Sequence, residues 1–93
     1  MKYEFSKPYE FEGVKHTELD IHLEGITGRD ISAVKKQFTD AGNYSAVPIM
    51  DYDFCVYLLA RVTKKPMEFF YDLPAQDYCS LCQRVSTFLM KSG

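Results

Sequence analysis

The sequence predicts an α+β fold in a single domain over residues 1–93: an N-terminal β-hairpin at about 3–23, three main helices at about 27–41, 48–64 and 74–90, and a short helical turn at about 66–71. Three observations carry that prediction. Apolar side chains recur every second residue up to Leu23, they recur every third or fourth from Ile31 onward, and Gly or Pro stands where the period changes.

In the hairpin, one side of an extended segment carries Tyr3, Phe5, Lys7, Tyr9 and Phe11, and the other Glu4, Ser6, Pro8 and Glu10. Pro8 has no N–H for a ladder, so it makes this an edge strand or divides it in two. Glu12-Gly13 supplies the turn, because Gly tolerates positive φ. The return strand then places Lys15, Thr17, Leu19, Ile21 and Leu23 on one side, with His16, Glu18, Asp20 and His22 on the other.

Beyond Gly25 the period becomes helical. Thr27 is a capping residue with Asp30 three positions on, Ile31, Val34, Phe38 and Ala41 share a face, and Gly42 ends the first helix. Pro48 or Asp51 opens the second, which runs to Lys64-Lys65, where two cations suit the negative end of the helix dipole and Pro66 stops it. Phe54, Cys55, Val56, Tyr57, Leu58, Leu59 and Val62 cover almost every face of this helix, so it is expected at the centre of the core. Met67 to Tyr71 reads as one helical turn. Pro74 opens the last helix, on which Tyr78, Leu81, Cys82, Val85, Phe88 and Leu89 form a stripe.

Composition narrows the function classes. With 46% hydrophobic and 15% aromatic residues the chain is too apolar to stay disordered. A chain of 93 residues buries only about 60–65% of its unfolded surface, which leaves room for a partner or for homo-oligomerisation. Thirteen acidic residues against eleven basic ones, without a basic cluster, argue against nucleic acid. The longest apolar run, Phe54 to Ala60, falls far short of the ~20 residues that span a bilayer, so no membrane role is expected. Three cysteines and an opening without an apolar signal core suggest reduced thiols in a cytoplasm.

No arrangement of residues requires an enzyme, a cofactor or a metal. Cys79 and Cys82, at i and i+3, resemble half of a metal or redox site. A tetrahedral zinc needs four ligands, and Cys55, His16 and His22 make no second paired motif. Cys79 also lies too far inside its helix for the dipole to activate it, so packing is the plainer account of the pair. A zinc-binding regulatory module is the less favoured alternative. His16 and His22, with Glu18 and Asp20 between them, are spread over about 20 Å of strand at ~3.3 Å per residue, which suits a solvated face better than acid–base catalysis. What stands out is the aromatic load. Phe69, Phe70 and Tyr71 cannot all point one way from a single turn, so at least one is expected to meet solvent or a partner. Tyr3, Phe5, Met67, Phe69, Phe70 and Tyr71 are the candidate partner-binding residues.

The order of features adds a family resemblance. Lys7-Pro8, Gly13, a strand ending in Leu23 and Thr27-Gly28-Arg29-Asp30-Ile31, then Leu58 to Thr63 before a Pro, Leu73 four residues ahead of Asp77, and Val85 with Phe88-Leu89 resemble small tail assembly chaperones of long-tailed bacteriophages. Asn43-Tyr44-Ser45, the stretch Met67 to Tyr71 and Cys79/Cys82 depart from that pattern. The resemblance implies a non-enzymatic phage or prophage protein of the host cytoplasm, absent from the mature virion. Its expected partner is the tape measure protein, with the tail-tube protein as a second, and its task is to keep that client soluble during tail-tube assembly. A structural tail or head–tail joining component is the alternative.

Overall fold

The computed structural model describes residues 1–91. Strand β1 (Lys2–Phe11) pairs antiparallel with β2 (Val14–Asp20), and helices α1 (Gly28–Asp40), α2 (Tyr52–Thr63), α3 (Met67–Tyr71) and α4 (Ala75–Met90) follow, giving the expected α+β order. Glu12 (φ 50°) and Gly13 (φ 80°) both sit at positive φ, the geometry of a two-residue type I′ turn whose twist matches that of the strands. Glu12 is strained there, whereas Asn tolerates the conformation. Glu12→Asn is expected to raise stability by about 0.5 kcal/mol, read as a higher urea midpoint at unchanged slope. An unchanged or lowered midpoint would show that the turn is not what limits the hairpin.

The ladder is interrupted. Tyr3 pairs with Leu19 and Glu4 with Glu18, but the next pair is Tyr9 with His16, so Phe5 to Pro8 stand against the single residue Thr17. This wide bulge accommodates Pro8, which has no N–H to donate. It also corrects the expected placement of His16. Opposite Tyr9, that side chain leaves the polar face of Glu18 and Asp20 and becomes half-buried, edge-on to the Phe69 ring at 5.0 Å between centroids. β2 also ends at Asp20, short of the expected Leu23. Past it, the Ile21 N–H donates to the Met1 carbonyl at 2.7 Å, and the chain turns away with Ile21 and Leu23 buried.

α1 starts and stops as the sequence predicts. The Thr27 N–H donates to Asp30 Oδ2 at 2.9 Å, and Arg61 at the end of α2 donates to Asp30 Oδ1 at 3.2 Å. The bond from the Thr27 backbone and then the Arg61 guanidinium hold the Asp30 carboxyl below the usual carboxylate range. At the other end Gly42 (φ 92°) turns the chain so that the Asn43 N–H reaches the Phe38 carbonyl at 3.3 Å. The expected helix at 48–64 is divided. Pro48–Met50 form a 3-10 turn, and Asp51 in an extended conformation caps α2, its Oδ1 accepting from the N–H groups of Asp53 (2.8 Å) and Phe54 (3.3 Å). Phe54, Cys55, Val56, Leu58 and Leu59 have no exposed surface, so α2 is the central element. It packs against α1, α3 and α4, and the hairpin closes the core from the side of α3 and α4.

Candidate partner-binding surface

The aromatic residues singled out in the sequence assemble mainly with one another. Phe69 stands at the middle of a cluster, its ring centroid 5.2 Å from Tyr9, 5.2 Å from Phe11, 5.1 Å from Phe70 and 5.0 Å from His16, all near edge-to-face. The Tyr9 hydroxyl donates to the Phe69 carbonyl at 2.8 Å, and the Lys65 ammonium lies 5.0 Å from the Phe69 centroid. The cluster docks the hairpin on α3. Of the six candidates, Tyr3, Phe5, Phe69 and Phe70 are buried in this folded chain, Met67 is half-buried, and Tyr71 is 43% exposed. Tyr71 is therefore the member of its triplet that meets solvent. Its ring stacks on Tyr78, and its hydroxyl donates to Asp53 Oδ1 at 3.0 Å. Burial, then the bond to Asp53, push its ionisation far above the usual tyrosine range, so it stays neutral.

The second attachment of the hairpin escaped sequence reasoning. Asp77, in the first turn of α4, is 1% exposed and accepts three hydrogen bonds. Tyr3 Oη and the Ser6 N–H reach its Oδ1 at 2.7 and 3.0 Å, and Ser6 Oγ reaches its Oδ2 at 2.9 Å. The Ser6 N–H freed by the bulge thus finds its acceptor on α4, 71 residues away. Burial raises the carboxyl pKa, but the bonds from Tyr3 and Ser6 outweigh it and hold Asp77 below the usual carboxylate range. The positive end of the helix dipole favours the same charged form. The sequence carried a signal for this: Leu73, Asp77, Leu81 and Val85 are spaced by four, so an acid stood on an apolar row.

Two of the three cysteines are part of the core. Cys55 and Cys82 are buried between α2 and α4, where Cys55 Sγ lies 3.6 Å from the Cys82 carbonyl and 3.6 Å from Ser86 Oγ. The neighbouring Cys55 sulfur and burial keep the Cys82 thiol far above its ordinary range and therefore unreactive. Cys79 is half-buried. Among the described residues no three of His, Cys, Asp and Glu converge to hold a metal ion, and no helix is long and apolar enough to cross a membrane.

Besides Tyr71, exposed apolar surface lies where the sequence did not single it out. Met50 on the 3-10 turn (58% exposed) and Met90 at the end of α4 (47%) face each other across a groove of about 370 Å³ whose other walls are Tyr52, Gln83, Ser86 and Thr87. The Tyr52 hydroxyl accepts from Gln83 Nε2 at 3.1 Å and joins the two walls. Gln83 and Thr87 form the crest of α4. On its far side a second groove, of about 490 Å³, runs past Ser80, Arg84 and Phe88 to Met1. Phe88, expected on the buried stripe, is 38% exposed there, because its helical position falls at the edge of the face that α4 turns to the core. Neither groove holds a nucleophile beside a base. What they offer is shape and apolar contact, with flexible methionines that adapt to a partner's side chains.

The family model described as "Phage tail assembly chaperone proteins, E, or 41 or 14" matches residues 2–90. No curated protein and no solved structure matches.

Proposed function

The chain belongs to the phage tail assembly chaperones, and from that premise we propose that it binds the tape measure protein without catalysing any reaction, covering an apolar stripe of that client until tail-tube subunits enclose it. The work is done in the host cytoplasm, and the chaperone leaves before the virion is complete. The observation that supports this reading is the groove between Met50 and Met90, which has apolar rims and, among the described residues, no charged side chain in its lining. An amphipathic helix presents apolar side chains at i, i+3, i+4 and i+7 to such a groove. A footprint of a few turns also gives a contact weak enough to be displaced, since affinity follows the quality of a few central contacts.

Co-expression with the tape measure protein, followed by size-exclusion chromatography, tests the proposal. The client is expected to stay soluble and comigrate with the chaperone. Met90→Glu, a change at an exposed position that leaves the core intact, is expected to reduce the retained client about tenfold by placing a charge in the apolar contact. A client that neither comigrates nor gains solubility with the wild-type chain contradicts the proposal. Finding the chain at fixed stoichiometry in purified virions would replace it with a structural tail role.

A further inference from the structure

The charge pattern of α4 says more about the helix that lies on it. All thirteen Asp and Glu side chains lie at or before Asp77, whereas the outer side of α4 beyond Ser80, together with Lys91 that caps its end, carries two cations, Arg84 and Lys91, and no acidic side chain. Both are exposed, and they lie seven residues apart, two helical turns or about 10.5 Å along nearly the same line. The Arg84 guanidinium is already placed, 5.1 Å from the centroid of the Tyr3 ring. On the opposite wall the carboxylates of Asp51 and Asp53 flank Tyr52, Asp51 capping α2 and Asp53 accepting from Tyr71, which directs the carboxylates of a bound helix away from that wall and toward the α4 flank. Around the crest made by Gln83 and Thr87, α4 therefore has an apolar groove on one flank and a cationic line on the other.

We propose that this crest docks an acidic amphipathic helix, whose apolar stripe enters the groove between Met50 and Met90 and whose carboxylates, recurring every seven residues on one flank, meet Arg84 and Lys91. The inference rests on the reading of the chain as a client-binding chaperone and adds the chemistry of the client segment. Opposite charges at the rim of an apolar contact fix the register and orientation of the bound helix and reject cationic helices by repulsion.

A synthetic 21-residue helical peptide with a Leu/Met stripe and Glu at seven-residue spacing is titrated into the isotopically labelled full chain, beside the same peptide with Lys in place of Glu. The Glu peptide is expected to bind about tenfold more tightly at low salt, to lose most of that margin in 0.5 M salt, and to shift the amides of Gln83, Thr87 and Met90. Lys91→Glu alone is expected to narrow the preference, and Arg84→Glu with Lys91→Glu to reverse it. Equal affinity for the two peptides, or shifts confined to the hairpin, would overturn the inference. Thr87→Glu, tested with the co-expressed tape measure protein, separates the two levels. Client retained by the wild type and lost with Thr87→Glu supports the inference. Client retained equally by both overturns it and leaves the chaperone reading standing, and client retained by neither removes both.

Discussion

Replacing Asp77 with Ala is expected to destabilise the chain by about 3 kcal/mol. The carboxylate is the shared acceptor for Tyr3 Oη, the Ser6 N–H and Ser6 Oγ, so the truncation strands a buried phenol and a strand amide at a cost of about 1–3 kcal/mol for each unsatisfied group. Asp77→Asn is a different experiment. Its Oδ1 still accepts from Tyr3 and from the Ser6 N–H, and its new amide donates to Ser6 Oγ, so the expected loss is only about 1 kcal/mol. Acid titration probes the same charge. The folded carboxyl is held below its unfolded value, so its contribution is fully present above about pH 4 and is lost as pH falls through the folded value. The stabilities of wild type and Asp77→Asn should therefore converge as the solution is acidified, as read by urea denaturation at a series of pH values. A constant difference down to pH 2 would show that Asp77 is not held as the buried anion.

Phe69→Ala is expected to cost about 3–5 kcal/mol, the range for emptying an aromatic site in a packed core. Phe69 is 1% exposed, and its ring contacts Tyr9 and Phe11 of β1, His16 of β2 and Phe70, so its loss opens a cavity between the hairpin and α3. The bond from Tyr9 Oη goes to the Phe69 backbone and survives the truncation, as does the Asp77 clasp at the other end of β1. Hydrogen exchange should accordingly accelerate first at the turn end of the hairpin, around Tyr9 to His16, with Tyr3 and Leu19 affected less. Tyr71→Ala, its neighbour on the same turn but facing solvent, should cost about 1 kcal/mol or less. Equal losses at the two positions would mean that α3 does not divide into a core face and an open face.

These two residues mark how far the sequence can be read. Thr27, Gly42, Asp51 and Pro66 announce helix ends through backbone chemistry that needs no partner, and the alternation of Tyr3, Phe5 and Tyr9 correctly assigns the inner side of β1. Pro8 announced an edge strand or an interrupted one, but the change of register across Phe5 to Pro8 was not legible, because alternation reports where side chains point and not how two strands slide past each other. The Ser6 N–H that the bulge frees finds its acceptor on the last helix, and the register change brings His16 opposite Tyr9. Burial divides the candidate site for a related reason. Tyr3, Phe5, Phe69 and Phe70 were singled out for their apolar bulk, and the same bulk draws them into the core of a small domain. Met50 and Met90 lie at the ends of their elements, where periodicity does not separate the last core residue from the first exposed one. Their pairing across a groove is a product of the tertiary fold.

On the proposed function, the groove and crest beside α4 hold the tape measure protein by apolar contact. Site-specific photo-crosslinking during co-expression tests it most directly, with a benzoylphenylalanine placed in turn at Met90, at Phe88 and at Val14 beside the hairpin turn, all three of them exposed. The account predicts adducts with the tape measure protein from Met90 and Phe88 and none from Val14. Adducts from Val14 alone, or from none of the three while client and chaperone still copurify, would contradict it.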